Sequence, residues 1–350
     1  MIISRTPYRI SFFGGGTDYP AWYRQHGGAV VGATINKYCY ISCRYLPPFF
    51  DHRFRVVYSK IENSQTVEEI SHPAVREILR YLNIEQGVEI HHDGDLPARS
   101  GLGSSSSFSV GMLNALYALK GILTSKEQLA HEAIYIEQER LRETVGSQDQ
   151  VMAAYGGVNH IEFLPNDEIK VKPLTLHPER LRELNAHLML FFTGIRRTAS
   201  SIAQSYVQNV ESREAQLRQL NGMVAEAISI LNDGQEIARF GKLLHESWRA
   251  KRSLSDKVSN SYVEEVYEQA MAAGALGGKL IGAGGGGFML LFAHISDQPK
   301  VKERLNKLIH VPFKFEFSGS RIIFFDPEED YSAQARLRAA QGVQEFHDAP

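Results

Sequence analysis

The distribution of apolar residues along the first half of the chain predicts a mixed αβ unit. Runs in which apolar and polar residues alternate, as in strands, are interspersed with runs in which apolar residues have helical spacing. The predicted strands are Ile2–Phe13, Ala29–Tyr45, Phe54–Tyr58 and Gly87–His92. The predicted helices are His72–Leu82, Phe108–Lys120 and Lys126–Arg142. A hairpin is predicted from Val158–Phe163 and Ile169–Leu174, because turn residues lie between them.

The second half repeats this mixture after a connection near Thr175–Ala186. It opens with an apolar strand, His187–Thr193, and continues as a long amphipathic helix. The apolar positions of that helix are Val207, Val210, Leu217, Leu220, Val224, Ala227 and Leu231. A shorter helix, Tyr262–Ala273, is expected to begin with Ser261 and Glu264 as a capping box. Strands Gly286–Phe292 and Arg321–Phe325 are expected to close this unit, so we predict two domains, residues 1–180 and 181–340.

Composition indicates a two-domain protein and makes some partners unexpected. The chain has 350 residues, 43% of them hydrophobic, which is more than one core needs. The net charge of -2 provides no basic surface field, so nucleic acid is not an expected partner. No apolar run reaches membrane-spanning length, so no membrane association is expected either. The two cysteines, Cys39 and Cys43, are expected to be buried as small hydrophobic residues in a cytoplasmic protein with reduced thiols.

The segment Pro97–Ser107, which reads PARSGLGSSSS, is the strongest candidate for chemistry. Gly101 and Gly103 lack β-carbons, so backbone N–H groups can approach an anion at the start of the following helix. A serine there can also ligand the magnesium of a nucleotide. A flexible linker or ordinary helix caps are the alternatives. The candidate nucleotide-binding residues are Pro97, Ser100, Gly101, Leu102, Gly103, Ser104, Ser105 and Ser106.

Two more glycine clusters, Pro7–Pro20 and Gly277–Phe288, flank this loop in sequence. Together the three motifs resemble, in content and order, those of the galactokinase, homoserine kinase, mevalonate kinase and phosphomevalonate kinase (GHMP) superfamily. The resemblance implies an α+β fold with a ribosomal-protein-like N-terminal domain and a ferredoxin-like C-terminal domain. It also implies an active site in the cleft between them, with ATP and Mg²⁺ as cofactors.

The first motif resembles one branch of this superfamily more closely. Its sequence Gly14–Asp18 reads GGGTD and is similar to that of bacterial D-glycero-D-manno-heptose 7-phosphate kinases and of the kinase part of fucokinases. Segments Phe191–Ser200 and Ser247–Asn260 carry the same resemblance. It implies ATP-dependent phosphorylation of the anomeric hydroxyl of the heptose phosphate, by a monomer or homodimer. Two alternatives stay open: a kinase for an unphosphorylated sugar such as L-fucose, and a sugar-nucleotide sensor without turnover.

The resemblance also assigns catalytic and metal-binding roles. Asp149 aligns with the aspartate that several members use as a base, and Arg9 is expected to lie beside it and hold it ionised. Glu139 and Ser105 align with the magnesium ligands of the superfamily. A solvated helix charge is the alternative for Glu139, and a surface charge on an edge strand is the alternative for Arg9. The adenine base is expected near Val57–Gln65.

Substrate contacts are expected at three places. Gly15, Gly16, Thr17 and Asp18 of the first motif are predicted to meet sugar hydroxyls, although a simple turn would need the same residues. Gly284 and Gly285 are predicted to let backbone approach the substrate. A phosphate on the sugar needs cations, and the predicted group is Arg197, Lys251 and Lys279, with solvated helix charges as the alternative.

Overall fold

The computed structural model describes residues 1–195, 202–205, 211–326 and 331–341, and within them thirteen strands form two sheets. The strands are β1 Ile2–Phe13, β2 Gly28–Tyr45, β3 Phe54–Val57, β4 Ile61–Ser64, β5 Val88–Gly94, β6 Val158–Phe163, β7 Ile169–Pro173, β8 Leu188–Phe192, β9 Ala275–Leu280, β10 Phe288–Ala293, β11 Ile309–His310, β12 Phe315–Glu316 and β13 Arg321–Phe325. The nine-stranded sheet has the order β13-β1-β2-β5-β3-β4, with β6 and β12 also paired to β2 and β7 paired to β6. The four-stranded sheet has the order β11-β8-β10-β9.

Eleven α-helices of the described residues cover these sheets. They are α1 Pro20–His26, α2 Pro73–Tyr81, α3 Ser104–Leu119, α4 Lys126–Tyr135, α5 Gln148–Tyr155, α6 Pro178–His187, α7 Glu214–Asn232, α8 Ala238–Arg252, α9 Ser261–Ala272, α10 Gln298–Arg304 and α11 Ser332–Gln341. A π-helical turn, Ile136–Arg140, continues α4. None of the described helices combines the length and the apolar character needed to cross a bilayer.

Strand β1 places Arg9 at the centre of the molecule. It pairs antiparallel with β2, and Arg9 lies opposite Thr34. The register shifts between Pro7 and Tyr8 and again between Ser11 and Phe13, so Arg9 lies between two irregularities. Such irregularities twist a strand locally and redirect its side chains. Arg9 is a charged residue with many apolar neighbours in its strand, and it is only 4% exposed.

Helix α3 lies across β1 and β2, and its buried residues surround the helix on nearly every side. A helix that is buried all round belongs to the core rather than the surface. The backbone approach is close, because a β-carbon at Gly111 would stand 2.8 Å from Thr6 Oγ1. Ser4 Oγ also donates to the Gly111 carbonyl at 2.7 Å. This packing fixes the helix start, which carries the serine-rich loop, beside β1.

Aromatic contacts join the two sheets near the end of β1. Phe12 and Phe13 meet Phe240 of α8 edge to face, with ring centroids 5.5 and 5.1 Å apart. Phe240 also lies near Phe292 of β10, at 6.2 Å. All four rings are fully buried, so the core continues from one sheet to the other. The C-terminal helices are thereby held against the first glycine motif.

Several predicted elements need correction. Strand β13 does not belong to the second unit, because it pairs with β1 in the nine-stranded sheet, with Phe325 opposite Ile2. The predicted connection near 175–186 contains most of helix α6, and α8 and β9 were missed. Helix α9 is capped by Asn260, whose Oδ1 accepts from Val263 N at 3.1 Å. The prediction of a capping box formed by Ser261 and Glu264 is therefore wrong, because Glu264 bonds to Arg252 instead.

Most of the other strands and helices are confirmed within a few residues. The hairpin of β6 and β7 forms as predicted. Helix α3 begins four residues before the predicted start at Phe108. Cys39 and Cys43 of β2 are both buried and are not joined in a disulfide, and their burial was expected. The predicted positions Val207 and Val210 lie outside the described residues.

Candidate active site

A buried ion pair, Arg9 with Asp149, forms the centre of the site. Arg9 Nε donates to Asp149 Oδ1 at 2.6 Å and Nη2 donates to Oδ2 at 2.5 Å. Two parallel bonds fix both the distance and the plane of the carboxylate. The Asp149 side chain is 25% exposed and that of Arg9 only 5%. The carboxylate therefore remains reachable from solvent while its cation is not.

Asp149 lies in the first turn of α5, directly after a turn that Asp18 organises. The Asp18 carbonyl accepts from Ser147 N at 2.9 Å, and its carboxylate accepts from Gln148 Nε2 at 2.9 Å. Glycine is required at 146, because a β-carbon there would stand 1.9 Å from Asp18 Oδ2. Asp18 is 1% exposed, and this burial raises the pKa of its carboxyl group. The first glycine motif thus fixes the turn at residues 146–148, which directly precedes Asp149.

The other residues of the first motif are bonded within the protein. Gly16 N donates to Asp18 Oδ1 at 2.9 Å. Thr17 is fully buried, and its hydroxyl donates to the Gly14 carbonyl at 2.8 Å. A β-carbon at Gly15 would meet Ser11 Oγ at 3.4 Å. These contacts match the simple-turn alternative for this motif, and its sugar contacts stay a prediction.

The serine-rich loop passes between the ion pair and the late glycine turn. Gly101 has a φ of +85° and Gly103 a φ of +73°, a backbone region that favours glycine. A β-carbon at Gly101 would stand 2.4 Å from the Ile281 carbonyl. On the other side, Arg9 Nη1 donates to the Gly101 carbonyl at 2.6 Å. Gly103 precedes the sixteen-residue helix α3, so the helix dipole favours an anion at this end.

The remaining loop residues anchor its backbone. Arg9 N donates to the Leu102 carbonyl at 3.0 Å. Ser104 Oγ accepts from Arg99 N at 3.2 Å. Ser100 is 1% exposed, and its hydroxyl has no hydrogen-bond partner among the described residues. Pro97 begins the loop at a half-buried position.

The late glycine turn brings backbone within van der Waals range of the serine-rich loop. A β-carbon at Gly282 would stand 2.6 Å from the Gly101 α-carbon. One at Gly284 would meet the Val258 carbonyl at 2.5 Å, and Gly285 N donates to that carbonyl at 2.8 Å. Packing alone therefore demands several of these glycines. The substrate contacts predicted for Gly284 and Gly285 stay a prediction.

A second carboxylate, Glu137, lies on the other side of the start of α3. It is fully buried, and its Oε2 accepts from Ser106 Oγ at 2.9 Å and from Gln150 Nε2 at 2.6 Å. Its Oε1 has no hydrogen-bond partner among the described residues. Burial raises the pKa of Glu137 to about 7. A buried carboxylate with one free oxygen and no cation has the chemistry of a metal ligand.

The structure brings Ser106 and Glu137 together, whereas the sequence pointed to Ser105 and Glu139. Both Ser105 and Glu139 are exposed, and they make no hydrogen bond to each other. Successive helical residues point about 100° apart, so side chains one or two positions apart lie on different sides of a helix. The π turn adds a further change of phase at Glu137, and such turns occur often at functional sites.

Lys251 and Lys279 are not surface charges. Lys251 is 6% exposed and Lys279 is 3% exposed. Lys251 donates to the Gly282 carbonyl, and Lys279 donates to the Phe12 carbonyl at 2.8 Å. Burial lowers the pKa of Lys251 to about 8 and that of Lys279 well below its ordinary value. The third predicted cation, Arg197, lies outside the described residues.

An aromatic group lies beside the first turns of α3. Phe108 stacks on His72 at 5.1 Å and meets His92 edge to face at 5.1 Å. Tyr58, from the loop between β3 and β4, meets His72 edge to face at 4.9 Å. This loop lies in the predicted adenine segment, residues 57–65. Flat apolar walls of this kind suit a stacked base.

Comparison with known proteins adds a family to this geometry. Residues 67–157 match the family model described as GHMP kinases N terminal domain, and residues 224–310 match the one described as GHMP kinases C terminal. A D-glycero-alpha-D-manno-heptose 7-phosphate kinase of Campylobacter jejuni is 31% identical over 320 residues, or 87% of this chain and 93% of the relative.

Two further relatives are more distant. A bifunctional fucokinase/GDP-fucose pyrophosphorylase of Arabidopsis thaliana is 26% identical over 86% of this chain, which spans only 30% of that protein. A crystal structure described as a D-glycero-D-manno-heptose 1-phosphate kinase from Bacteroides thetaiotaomicron superposes with a TM-score of 0.77. It shares 24% identity and covers 93% of this chain and all of its own, so it supports the fold.

Proposed function

The chain belongs to the GHMP kinase family, and from that premise and the site geometry we propose that it is an ATP-dependent sugar-phosphate kinase. The acceptor we propose is D-glycero-D-manno-heptose 7-phosphate, phosphorylated at its anomeric hydroxyl to the 1,7-bisphosphate. The relative that is 31% identical carries a matching name. The product would serve nucleotide-activated heptose synthesis in the cytoplasm.

The observation that carries this proposal is the Arg9–Asp149 pair beside the serine-rich loop. Phosphoryl transfer needs positioning and electrostatic stabilisation rather than a covalent intermediate. The sugar hydroxyl oxygen bonds to the γ-phosphorus while the bond from that phosphorus to the bridging oxygen of ADP breaks. Asp149, fixed by two bonds from Arg9, orients the hydroxyl and accepts its proton.

The residues present also suit Mg²⁺. We propose that Glu137 and Ser106 hold it, in place of Glu139 and Ser105, because Glu137 has a buried oxygen without a partner. When bound with the nucleotide, the ion neutralises charge on the phosphates. Gln150 keeps the Glu137 side chain in one orientation through its 2.6 Å bond.

The substrate contacts form the remaining part of the proposal. The sugar lies against the first motif at Gly15, Gly16, Thr17 and Asp18 and the late turn at Gly284 and Gly285, which border the Asp149 side of the loop. The domain division at residues 180 and 181 stays a proposal as well.

The test is ATP consumption with Mg²⁺ over a panel of acceptors. The panel contains D-glycero-D-manno-heptose 7-phosphate, mannose 6-phosphate, sedoheptulose 7-phosphate, L-fucose and galactose. We expect turnover of the heptose phosphate alone, with a loss of about 10³-fold in kcat for Asp149→Asn. The exposed Asp167, which pairs with Arg24 at 2.8 Å, provides the matched control Asp167→Asn, which should keep full activity.

Each other outcome assigns a different function. Turnover of L-fucose would indicate a fucokinase, and indifference to the sugar phosphate would remove the need for a second phosphate receptor. Binding of nucleotide and sugar without turnover of any acceptor would indicate a sensor. Position of the new phosphate, read by phosphorus NMR, decides whether the anomeric hydroxyl is the acceptor.

A further inference from the structure

Three of the five N–H donors of Arg9 are already committed within the protein. Nε and Nη2 bond the two oxygens of Asp149, and Nη1 bonds the Gly101 carbonyl. A guanidinium held at all three of its nitrogens cannot turn toward a new anion without breaking these contacts. Arg9 is therefore fixed in place by Asp149 and the loop, and the negative charge spread over a transferred phosphoryl group can still take a second cation.

Lys251 is a second buried cation with uncommitted donors. Its ammonium carries three N–H groups and bonds one partner among the described residues, the Gly282 carbonyl. No carboxylate of the described residues lies within ion-pair distance of it. An ammonium that is 94% removed from solvent with two donors uncommitted is costly, unless an anion completes its shell.

The location of this ammonium follows from the late glycine turn. Gly282 is so close to Gly101 that a β-carbon on it would stand 2.6 Å from the Gly101 α-carbon. Gly101 in turn accepts from Arg9, which holds Asp149. The contacts run from Lys251 through the two glycines to Arg9 and Asp149. Lys251 thus lies at the late glycine turn, where that turn packs against the serine-rich loop.

Electrostatics agree with this location. Arg9 lowers the pKa of Lys251, and Asp18 and Asp149 raise it, so all three groups act on the ammonium at short range. Lys279 is also near, but its ammonium is bonded to the Phe12 carbonyl and burial drives its pKa well below the ordinary value. Lys251 is therefore the better candidate for a charged group at the transfer site.

We propose that Lys251 is a catalytic residue whose ammonium contacts the phosphoryl group during transfer, rather than a receptor for the phosphate already on the sugar. This inference rests on the proposed kinase function. Its role is to stabilise negative charge on the transferred oxygens, in addition to Arg9, whose plane is fixed by Asp149 and Gly101. Helix α8 and the Gly282 carbonyl hold the ammonium in position before substrate arrives, so no reorganisation is needed.

The experiment compares Lys251→Met and Lys251→Arg with Lys257→Met, an exposed lysine six residues further on. For Lys251→Met we expect kcat to fall about 10²- to 10³-fold, as on removal of a preorganised donor. The KM for the sugar phosphate should change less than about 3-fold, since ground-state binding is not affected. Lys251→Arg keeps the cation and should recover part of kcat, and Lys257→Met should match the wild type. Melting temperatures establish that each variant is folded.

A second readout needs no turnover. Aluminium fluoride with ADP and Mg²⁺ imitates the phosphoryl group in transfer, and wild type should bind it at least 10²-fold more tightly than Lys251→Met does. Binding of ADP alone should be equal in the two. If the wild type phosphorylates none of the acceptors, the kinase function fails, yet this comparison still reports on Lys251.

Two results would overturn the inference. The first is a KM for the sugar phosphate that rises more than 10-fold with kcat unchanged, together with loss of preference for the phosphorylated sugar. That pattern identifies a receptor for the sugar's own phosphate. The second is equal binding of the aluminium fluoride complex by wild type and Lys251→Met.

Discussion

Two carboxylates flank the start of α3, and they are held in opposite ways. Asp149 is a quarter exposed and bonded twice by the cation Arg9. Glu137 is fully buried, and its hydrogen-bond donors Ser106 and Gln150 are neutral groups. The first is an anion whose partner is part of the protein. The second lacks a cation, so the same chemical group is prepared for two different partners.

Under the proposed function, one loop would serve both sides of a transfer reaction. Asp149 would face the sugar hydroxyl, and its cation is a fixed side chain of the protein. The cation of Glu137 would be exchangeable, because Mg²⁺ would arrive and leave with the nucleotide. The serine-rich loop lies between them, bonded to Arg9 at Gly101 and to Glu137 at Ser106.

The largest effect is expected when the permanent cation is removed. Arg9→Met leaves Asp149 without a partner and frees the Gly101 carbonyl, so kcat should fall about 10²- to 10³-fold. Arg9→Lys retains a charge but not the two parallel bonds, and its loss should be smaller. The control is Arg24→Met, which breaks an ion pair that is 53% exposed on both sides and should leave kcat unchanged. Equal losses in Arg9→Met and Arg24→Met would contradict the distinction drawn for Asp149.

The second test removes the charge of Glu137, the proposed Mg²⁺ ligand. Glu137→Gln keeps the size of the side chain, so we expect the Mg²⁺ requirement for nucleotide binding to rise about 10- to 100-fold. Calorimetric titration of Mg²⁺ into protein with an ATP analogue measures this without turnover. Glu139→Gln is the matched control and should leave the titration unchanged. The reverse result would restore the pair that sequence alignment indicated.

A third test measures how kcat depends on pH, which reports the protonation state of Lys251. Its pKa, lowered to about 8 by burial, means that the ammonium is protonated below that pH and neutral above it. We expect kcat to fall as pH rises through about 8, by up to about 10-fold per unit. The charged groups that act on it or share its site are Arg9 on β1, Asp18 in the first motif, Asp149 on α5 and Lys279 on β9. In Lys251→Arg the alkaline fall should disappear, because a guanidinium stays charged. The same alkaline fall in both proteins would assign it to another group.

How far the sequence predicts this molecule depends on how local each feature is. Alternation of apolar residues was sufficient for β1 and β2, and glycine was sufficient to locate the loops, because both signals lie within one segment. Strand β13 was misplaced, since its partner β1 lies more than 300 residues earlier. The pairing of Arg9 with Asp149 spans 140 residues, and only the family resemblance suggested it.

The proposed metal site shows a different limit. The serine run and the glutamate-rich segment were both recognised in the sequence, yet the serine and glutamate that are hydrogen-bonded in the structure are Ser106 and Glu137 rather than the predicted Ser105 and Glu139. Only the phase of α3 and the π turn at Ile136–Arg140 decides which side chains point inward. Ser105 is exposed and Ser106 is buried, but both are serines, so residue type cannot show which of the two points inward. Apolar flanks could have indicated Glu137, which follows Ile136 directly.

The smallest expected effect comes from Gln150, one of the two neutral donors that hold Glu137. Gln150→Leu removes the 2.6 Å bond and leaves a buried carboxylate with Ser106 alone, so the metal-free protein should lose about 1 to 3 kcal/mol of unfolding free energy. Urea unfolding with and without Mg²⁺ and an ATP analogue measures the loss. Because a bound cation compensates the missing donor, the deficit should shrink when both ligands are present. An equal loss of unfolding free energy with and without the ligands would mean that Glu137 does not bind a cation. Glu137 and Asp149 would then differ in their burial and not in the kind of cation that they bind.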